Sequence, residues 1–280
     1  MRTEQHLPAL RSQLPDPAIM GIINLSHRSF YGFTPNGDDA LKKAEQMVCD
    51  GASIIDVGAV ATNPTIKLET DIPTEQSELD LLIPFVEKLS RRVDVIISVD
   101  TFRARVMSAA IDAGAKMIND QKALTEENTL KTAVKLNVPV CLMHHMGSEI
   151  KDRGSLINSE VQNQQLLHTI ISDLKNHIAR CLSAEMKKEN IIIDPGFGGG
   201  HYGKTADENF YLLQHLNQMV ALGFPVLVGL SRKIMFGGQV EDRLPASLAA
   251  AVVAIQKGAR IIRVHDVAET RHALQSATLL

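Results

Sequence analysis

The chain has 280 residues, of which 45% are hydrophobic and 22% are charged, and its formal net charge at pH 7 is −3. That length suits one domain with a substantial core, and the slightly negative charge excludes the strongly basic surface of a nucleic-acid-binding protein. The three cysteines show no CxxC spacing, which argues against a disulfide framework or a zinc site and favours a reducing compartment.

No apolar stretch of the sequence approaches the roughly 20 residues that cross a bilayer. Residues 1–17 also lack the continuous apolar core that is typical of a signal peptide. We therefore expect a cytoplasmic protein that has neither a membrane nor a nucleic acid as its partner.

Apolar runs with the character of β-strands alternate with amphipathic helical runs along the chain. The predicted strands are nearly continuous in Ile, Val and Leu, as expected for parallel strands covered on both faces, and they span Met20–Ser26, Ser53–Gly58, Val95–Thr101, Lys116–Asp120, Pro139–Met146, Asn190–Gly196, Pro225–Ser231 and Arg260–Asp266. The predicted helices carry apolar residues three and four positions apart, and they span Asp38–Asp50, Glu75–Leu89, Arg103–Ala113, Thr125–Leu136, Asn158–Lys188, Ala206–Leu222, Pro245–Gln256 and Val267–Leu280.

Single residues predict where some of these helices begin, bend and end. Pro84 lies inside a helical run and is expected to kink or split it. Thr125, with two acidic residues after it, is the predicted N-cap of the fourth helix. Gly51, Gly114 and Gly258 follow helices and precede strands, which is typical of helix C-caps.

A strand followed by a helix, repeated about eight times, predicts the fold class α/β and within it a (β/α)8 TIM barrel. We predict one domain over residues 1–280, because neither a linker nor a low-complexity tract interrupts the alternation. The alternative is an open, doubly wound sheet. Eight units, and the lack of a GxGxxG turn after the first strand, argue against it.

Polar side chains occur at the end of nearly every predicted strand, and in a TIM barrel those ends meet on the face that holds the active site. Asp100, Asn119 and Asp194 are the most informative, because two carboxylates and an amide suit a ligand with several N–H donors, such as an aminopyrimidinone ring. Their alternative role is helix capping and a hydrogen-bonded barrel rim. Asp56 lies deep in an apolar strand, so we predict that it is buried and holds the site together.

Other strand-end residues suggest a site for a metal or a phosphate. Asn24 ends the first strand and suits either such a contact or an ordinary turn. Lys233, Arg263 and His265 supply positive charge after the last two strands, where TIM barrels frequently bind phosphate. Alternation places Arg263 and His265 on one strand face, where they could grip a phosphate or diphosphate. The alternatives are that His265 is a core histidine with satisfied hydrogen bonds and that Lys233 is a solvated loop residue.

These strand ends, in this order, resemble those of the dihydropteroate synthases, a family of TIM-barrel transferases in folate biosynthesis. The resemblance covers about residues 18–267 and rests on the segments IMGIINLS, ASIIDVGA, ISVDT, IND, VCLMHHMG, IIDPGFG, LVGLSRK and RVHDV. It implies an enzyme that couples p-aminobenzoate to 6-hydroxymethyl-7,8-dihydropterin diphosphate with Mg2+ and releases pyrophosphate. It also implies a homodimer from a family that sulfonamides target.

The resemblance further implies a role for each site residue. The implied substrate-binding residues are Thr62, Asp100, Asn119, Met143, Asp194, Lys233, Arg263 and His265. Asp100, Asn119, Asp194 and Lys233 would hold the pterin ring, whereas Thr62, Arg263 and His265 would bind the diphosphate. Lys233, Arg263 and His265 are the implied catalytic residues, and Asn24 is the implied ligand of Mg2+.

The chain departs from the family pattern in its loops. Arg28 stands where the family has an acidic residue, and Val60 and Asn63 stand where it has a glutamate and an arginine. Ile234 replaces the serine that follows the S-R-K motif, and Gly199–Tyr202 lengthens the loop after the sixth strand. We therefore expect pterin diphosphate binding to be retained and binding of p-aminobenzoate and sulfonamides to be weakened.

Two other functions remain open from the sequence alone. The altered loops would suit a paralogue that binds pterin diphosphate with weak or no synthase activity. A methyltetrahydrofolate-dependent methyltransferase would share the fold and the way of binding the ring. It needs no diphosphate site, so Arg263, His265 and Asn24 argue against it.

Overall fold

A computed structural model describes residues 14–26, 37–60, 72–145, 160–199 and 202–278. In this part of the chain, eight parallel strands form one sheet in the order β6-β5-β4-β3-β2-β1-β8-β7. The strands are β1 (Ala18–Asn24), β2 (Ile54–Gly58), β3 (Ile96–Asp100), β4 (Met117–Asp120), β5 (Val140–Met143), β6 (Ile191–Asp194), β7 (Leu227–Val228) and β8 (Ile261–Val264). A parallel bridge between Ile193 and Val226 joins the two ends of the sheet. The predicted TIM barrel is thereby confirmed.

Helices follow the strands, as the alternating pattern predicts. They are α1 (Gly37–Cys49), α2 (Glu75–Leu89), α3 (Ala104–Asp112), α4 (Thr129–Leu136), α5 (Glu160–Ser183), α6 (Ala206–Gln214), α7 (Asn217–Val220), α8 (Leu244–Gln256) and α9 (Val267–Ser276). The C-cap prediction is confirmed at Gly51, Gly114 and Gly258, whose φ angles of +109°, +115° and +99° favour glycine. None of the helices within the described ranges is long and apolar enough to cross a membrane.

The expected N-cap at Thr125 is wrong. The carboxylate of Asp120 accepts hydrogen bonds from the backbone N–H groups of Lys122 and Leu124, which draws this segment into a turn. Within that turn, Thr125 Oγ1 donates to the carbonyl of Lys122 at 2.7 Å. As a result, α4 begins four residues later, at Thr129.

Two other helix predictions need correction. The run predicted as one helix over Ala206–Leu222 is divided into α6 and α7, because the backbone of His215 leaves helical geometry, with φ −105° and ψ 18°. By contrast, α2 runs on through Pro84, so the helix is not split, while a kink at Pro84 stays a prediction. Its apolar face, which includes the buried Leu82 and Val86, packs on the barrel. That burial offsets the roughly 3 kcal/mol that an internal proline costs.

The core has two layers, which strand alternation separates. Side chains that point into the barrel form a small cluster of Ala18, Met20, Ile54, Ile96, Met117, Cys141, Ile192, Leu227 and Ile261. Side chains that point outward join the helices in a much larger cluster. The inner cluster fills the lower part of the barrel, so polar groups further along the strands stand on an apolar floor.

Candidate active site

Because side chains alternate along a strand, the next inward-pointing positions above this apolar floor form a ring of polar side chains. Two residues beyond a floor residue, each strand presents its next inward side chain: Asp56 after Ile54, Asn119 after Met117 and Asp194 after Ile192. Strand register places Asp100 beside Asn119 and Met143 beside Asp194. The predicted site residues Asp100, Asn119, Met143, Asp194 and Arg263 are therefore brought to one end of the barrel.

A network of ion pairs and a hydrogen bond links four of these strands. Arg263 donates from Nε to Asp56 Oδ2 at 2.7 Å and from Nη2 to Asp100 Oδ2 at 3.0 Å. Asn119 Nδ2 donates to the same Oδ2 of Asp56 at 3.1 Å. Asp56 is fully buried, so the prediction that it is buried and hydrogen-bonded is confirmed. Arg263, expected at a diphosphate, is in this structure an organiser of the two carboxylates.

Asp194 stands at the end of β6, where the chain turns sharply. Its Oδ1 accepts from the backbone N–H of Gly196 at 2.7 Å. Gly196 has a φ of +70°, and a Cβ there would lie 2.1 Å from the carbonyl oxygen of His144. Only glycine fits this turn, which directs the buried carboxylate of Asp194 toward the positive charge of Lys233.

Burial changes the pKa values of the groups that surround the pocket. It raises the pKa of Asp100 to about 7 and that of Asp194 to about 6, although Arg263 opposes the shift at both. Burial, helped by the charge of Arg263, lowers the pKa of Lys233 to about 8. Near neutral pH the pocket therefore holds carboxylates that readily exchange a proton, and such a combination is typical of binding and catalytic sites.

His265 is held by the hydroxyl of Ser231, 34 residues away in the sequence. Ser231 Oγ lies 3.0 Å from His265 Nδ1 and accepts from the backbone N–H of His265 at 3.2 Å. Burial, followed by the charge of Arg263, lowers the pKa of His265 well below its usual range. Its imidazole is therefore neutral at physiological pH, with Nδ1 bound to Ser231.

Next to this histidine, a second ion pair fixes the loop that carries Lys233. Arg232 donates from Nε and Nη2 to the two carboxylate oxygens of Asp266, both at 2.8 Å. Its Nη1 also donates to the carbonyls of Val240 and Glu241. The loop after β7 is thereby bound to the end of β8, which determines where Lys233 is placed.

Asn24 is half-buried at the end of β1, opposite Gly58 of β2. The described residues contain no group of three or more His, Cys, Asp or Glu side chains that could enclose a metal ion. A single amide oxygen nevertheless fits Mg2+, which is usually held by one or two protein ligands together with substrate phosphates and water. The predicted contact at Thr62, and the loop changes at Arg28 and Asn63, lie outside the described residues.

Sequence reasoning missed two side chains of this pocket. Gln121 Nε2 donates to both oxygens of Asp100 at 2.9 Å, and Tyr202 donates its hydroxyl to Gln121 Oε1 at 3.1 Å. The Tyr202 ring also lies 4.5 Å from the ammonium of Lys233. Gln121 could have been found by alternation, since it follows the inward-facing Asn119 by two positions. No local signal in the sequence links Tyr202 to either residue.

Comparison with known proteins identifies relatives over nearly the whole chain. Residues 20–265 match the family model described as "Pterin binding enzyme". The dihydropteroate synthase of Haemophilus influenzae is 43% identical over 265 residues, which cover 92% of each chain.

Solved structures of dihydropteroate synthases have the same fold. One from Coxiella burnetii, in complex with pteroic acid, is 46% identical, with a TM-score of 0.87, and the match covers 95% of this chain and 93% of that one. One from Yersinia pestis, in complex with a sulfonamide drug, is 39% identical, with a TM-score of 0.84, and the match covers 94% of each chain.

Proposed function

The chain belongs to the dihydropteroate synthase family, and we propose that Asp100, Asn119 and Asp194 bind the pterin of its substrate. The enzyme is a transferase of folate biosynthesis that couples p-aminobenzoate to 6-hydroxymethyl-7,8-dihydropterin diphosphate and releases pyrophosphate. Among the open alternatives, the synthase is therefore favoured over the methyltransferase. Pteroic acid in the Coxiella burnetii structure contains the two organic parts that this reaction joins.

One observation supports the pterin assignment above all others. Three strands bring two carboxylates and an amide together on an apolar floor, and each of the three side chains is buried. A flat ring can rest on such a floor while its N–H groups donate to Asp100 and Asp194. Lys233 supplies a donor for the acceptor atoms of the ring, and the buried Met143 adds apolar contact.

The diphosphate would bind beside the ring, next to His265 and Arg263. The neutral imidazole of His265, held at Nδ1 by Ser231, would hydrogen-bond a diphosphate oxygen. Arg263 offsets part of the negative charge of Asp56 and Asp100, which reduces the repulsion of a diphosphate at this end of β8, and Lys233 adds a second positive charge. Thr62, which the resemblance assigns to the same group, would complete the site.

Mg2+ is the proposed cofactor, with Asn24 as its protein ligand. When bound, the ion would neutralise charge on the departing pyrophosphate. The chain's own cations, Arg263 and Lys233, would assist the same step by stabilising the negative charge that develops on the leaving group.

The reaction needs positioning more than a strong base. The bond between the pterin methylene and the diphosphate oxygen breaks, and its electron pair leaves with pyrophosphate. The amine nitrogen of p-aminobenzoate forms the new bond to the methylene and then loses one proton. Asp100, Asn119 and Asp194 orient the ring, whose electrons stabilise positive charge at the methylene.

Replacement of Asp194 by alanine tests this assignment. It leaves ring N–H groups without an acceptor, which costs about 1–3 kcal/mol, so the affinity for the pterin alcohol should fall about tenfold or more. Calorimetry measures that affinity, and Asp207→Ala, in the first turn of α6, serves as the matched control. Unchanged pterin affinity in Asp194→Ala would refute the assignment. Synthase activity itself is tested by complementation of a strain that lacks dihydropteroate synthase.

Three broader proposals follow from the sequence. We propose that residues 1–280 form a single domain, that the enzyme is a homodimer, and that it acts in the cytoplasm. Light scattering of the purified protein measures the mass in solution, and fractionation of cells locates the enzyme.

A further inference from the structure

Gln121 binds a carboxylate that the substrate itself would need. Its Nε2 lies 2.9 Å from each oxygen of Asp100, while Arg263 Nη2 donates to Oδ2 at 3.0 Å. A carboxylate offers about four acceptor positions, so these two donors use much of its capacity. Arg263 is also held by Asp56, which is fully buried. Gln121 is therefore the donor that an incoming ligand would replace.

Tyr202 holds Gln121 in this position from the opposite side. The tyrosine comes from the loop after β6, yet its hydroxyl reaches Gln121 after β4 and its ring reaches Lys233 after β7. The ring packs directly on Gly198, where a Cβ would lie 2.7 Å from Tyr202 Cδ2.

The base of the same loop is anchored separately. Lys204 is buried and donates its ammonium to the carbonyls of Gly196 and Tyr202, at 2.7 Å and 3.4 Å. The backbone that carries the tyrosine is thus tied to the end of β6. The Tyr202 hydroxyl is in consequence a fixed donor to Gln121 Oε1, which orients the amide NH2 toward Asp100.

We propose that Gln121, oriented by Tyr202, is a specificity-determining residue of the pterin pocket: an internal donor that a ligand must replace at Asp100. This inference rests on the proposed function, because it takes Asp100 to be an acceptor for the ring. A ligand that offers one N–H exchanges one hydrogen bond for another and gains little. A ring that presents several N–H groups to the pocket gains the additional bonds, so the pocket selects for it.

The first test measures affinity for the pterin alcohol by calorimetry at pH 8, above the pKa of Asp100. Gln121→Met keeps the length of the side chain and removes its donor, so the affinity should rise about threefold to tenfold, the equivalent of one hydrogen bond. Gln46→Met is the matched control, because Gln46 also donates to a carboxylate, that of Asp50, but on the exposed surface of α1. A loss of affinity in Gln121→Met would overturn the proposal, since Gln121 would then be a ligand contact.

The second test asks whether Tyr202 acts through Gln121. Tyr202→Phe keeps the ring and removes the hydroxyl, so the affinity should rise by a smaller factor than in Gln121→Met. In the double variant the tyrosine change should add nothing, because the amide that it orients is absent. Tyr211→Phe, on α6 and stacked on His215, is the control. Additive effects, or no effect of Tyr202→Phe in either background, would overturn the linkage.

A spectroscopic measurement separates this proposal from the proposed function. The chain has three tyrosines, so protein labelled with 13C at tyrosine Cζ gives three signals, and Tyr202→Phe identifies one of them. Saturation with the pterin alcohol should shift that signal, and Gln121→Met should shift it without ligand. If the pterin alcohol does not bind wild-type protein, the proposed function fails. If it binds and the Tyr202 signal stays unchanged, only the replacement of Gln121 is refuted.

Discussion

At the scale of single residues, Arg263 is the centre of the site's electrostatics. Its guanidinium contacts two carboxylates that belong to different strands, and one of them has no exposure to solvent. Two buried carboxylates without a cation would repel each other strongly. Arg263 therefore stabilises the barrel and, under the proposed function, also the substrate site, so a substitution there should affect both.

Replacement of Arg263 by methionine should lower the free energy of unfolding by about 3 kcal/mol or more at pH 7, because two buried carboxylates lose their partner. Urea denaturation measures the loss. Arg92→Met, which breaks an exposed pair with Glu45, should cost less than about 1 kcal/mol. At pH 5 the loss in Arg263→Met should be smaller, since Asp100, with a pKa of about 7, is then protonated. Equal losses in the two variants would contradict the central role of Arg263.

The shifted pKa values predict a bell-shaped pH dependence for pterin binding. Asp194 and Asp100 lose their protons as the pH rises through about 6 and about 7, and only the ionised carboxylates accept the full set of ring N–H bonds. Lys233 loses its charge as the pH rises through about 8. Affinity should thus increase from pH 5 to about 7 and decrease above about 8.

Calorimetry from pH 5 to 9.5, corrected for the ionisation of the ligand, gives this profile. Asp100→Asn should remove the transition near pH 7 and keep the one near pH 6. A flat profile in the wild-type protein would show that these groups do not control binding.

At the scale of elements, the loop after β7 combines a rigid base with an unusual tip. Its base is fixed by the pair between Arg232 and Asp266, whereas Ile234 at its tip is 53% exposed. The Ile234 side chain lies 3.3 Å from the position of a Cβ built on Gly199, so the tip faces the glycine-rich loop after β6. An apolar side chain at this point removes a hydroxyl that could hydrogen-bond a carboxylate.

Ile234 should therefore weaken binding of p-aminobenzoate. We expect a high KM for p-aminobenzoate, an ordinary KM for pterin diphosphate and low sensitivity to sulfonamides. Ile234→Ser should lower the KM for p-aminobenzoate about threefold to tenfold, the value of one hydrogen bond. Leu182→Ser, at another exposed apolar position, on α5, is the control. Steady-state kinetics with both substrates and a sulfonamide titration decide the matter, and a low KM in the wild-type enzyme would refute the expectation.

At the scale of the whole molecule, the barrel links ligand binding to global stability. The pocket is built from side chains on β2, β3, β4, β5, β6 and β8 and on loops at the same end of the barrel, so an unfolded chain holds no such site. A ligand that binds only the folded state stabilises it by about 2.7 kcal/mol at a concentration one hundred times its Kd. The contributions of the proposed pterin, diphosphate and metal sites can thus be measured separately as changes in Tm.

Pterin diphosphate with Mg2+ should raise Tm by about 5 °C or more when present at one hundred times its Kd. Removal of Mg2+ with EDTA should reduce this rise in Tm, because in the proposed site it is the metal that links Asn24 to the diphosphate oxygens. The gain from the pterin alcohol should be unaffected by EDTA. Scanning calorimetry measures both, and an equal response of the two ligands to EDTA would exclude a metal at the diphosphate.

The sequence by itself determined the architecture and most of the candidate site. Periodicity distinguishes strand from helix locally, and eight such units leave few other ways to bury the apolar faces of the strands. Because parallel strands all end on one face of the barrel, Asp100, Asn119, Asp194 and Arg263 could be placed together without coordinates. The predicted ends of helices were less accurate, as Thr125 shows, because a turn made by one carboxylate can shift them.

Only the tertiary structure decided which of these side chains contact each other. Arg263 and Asp56 are 207 residues apart in sequence, and Tyr202 and Gln121 are 81 apart. Such contacts depend on how strands are staggered around the barrel and how a loop folds back over it, and neither is encoded in a local pattern. For that reason the sequence located the site, while its internal hydrogen bonds, including those of Gln121, emerged only from the fold.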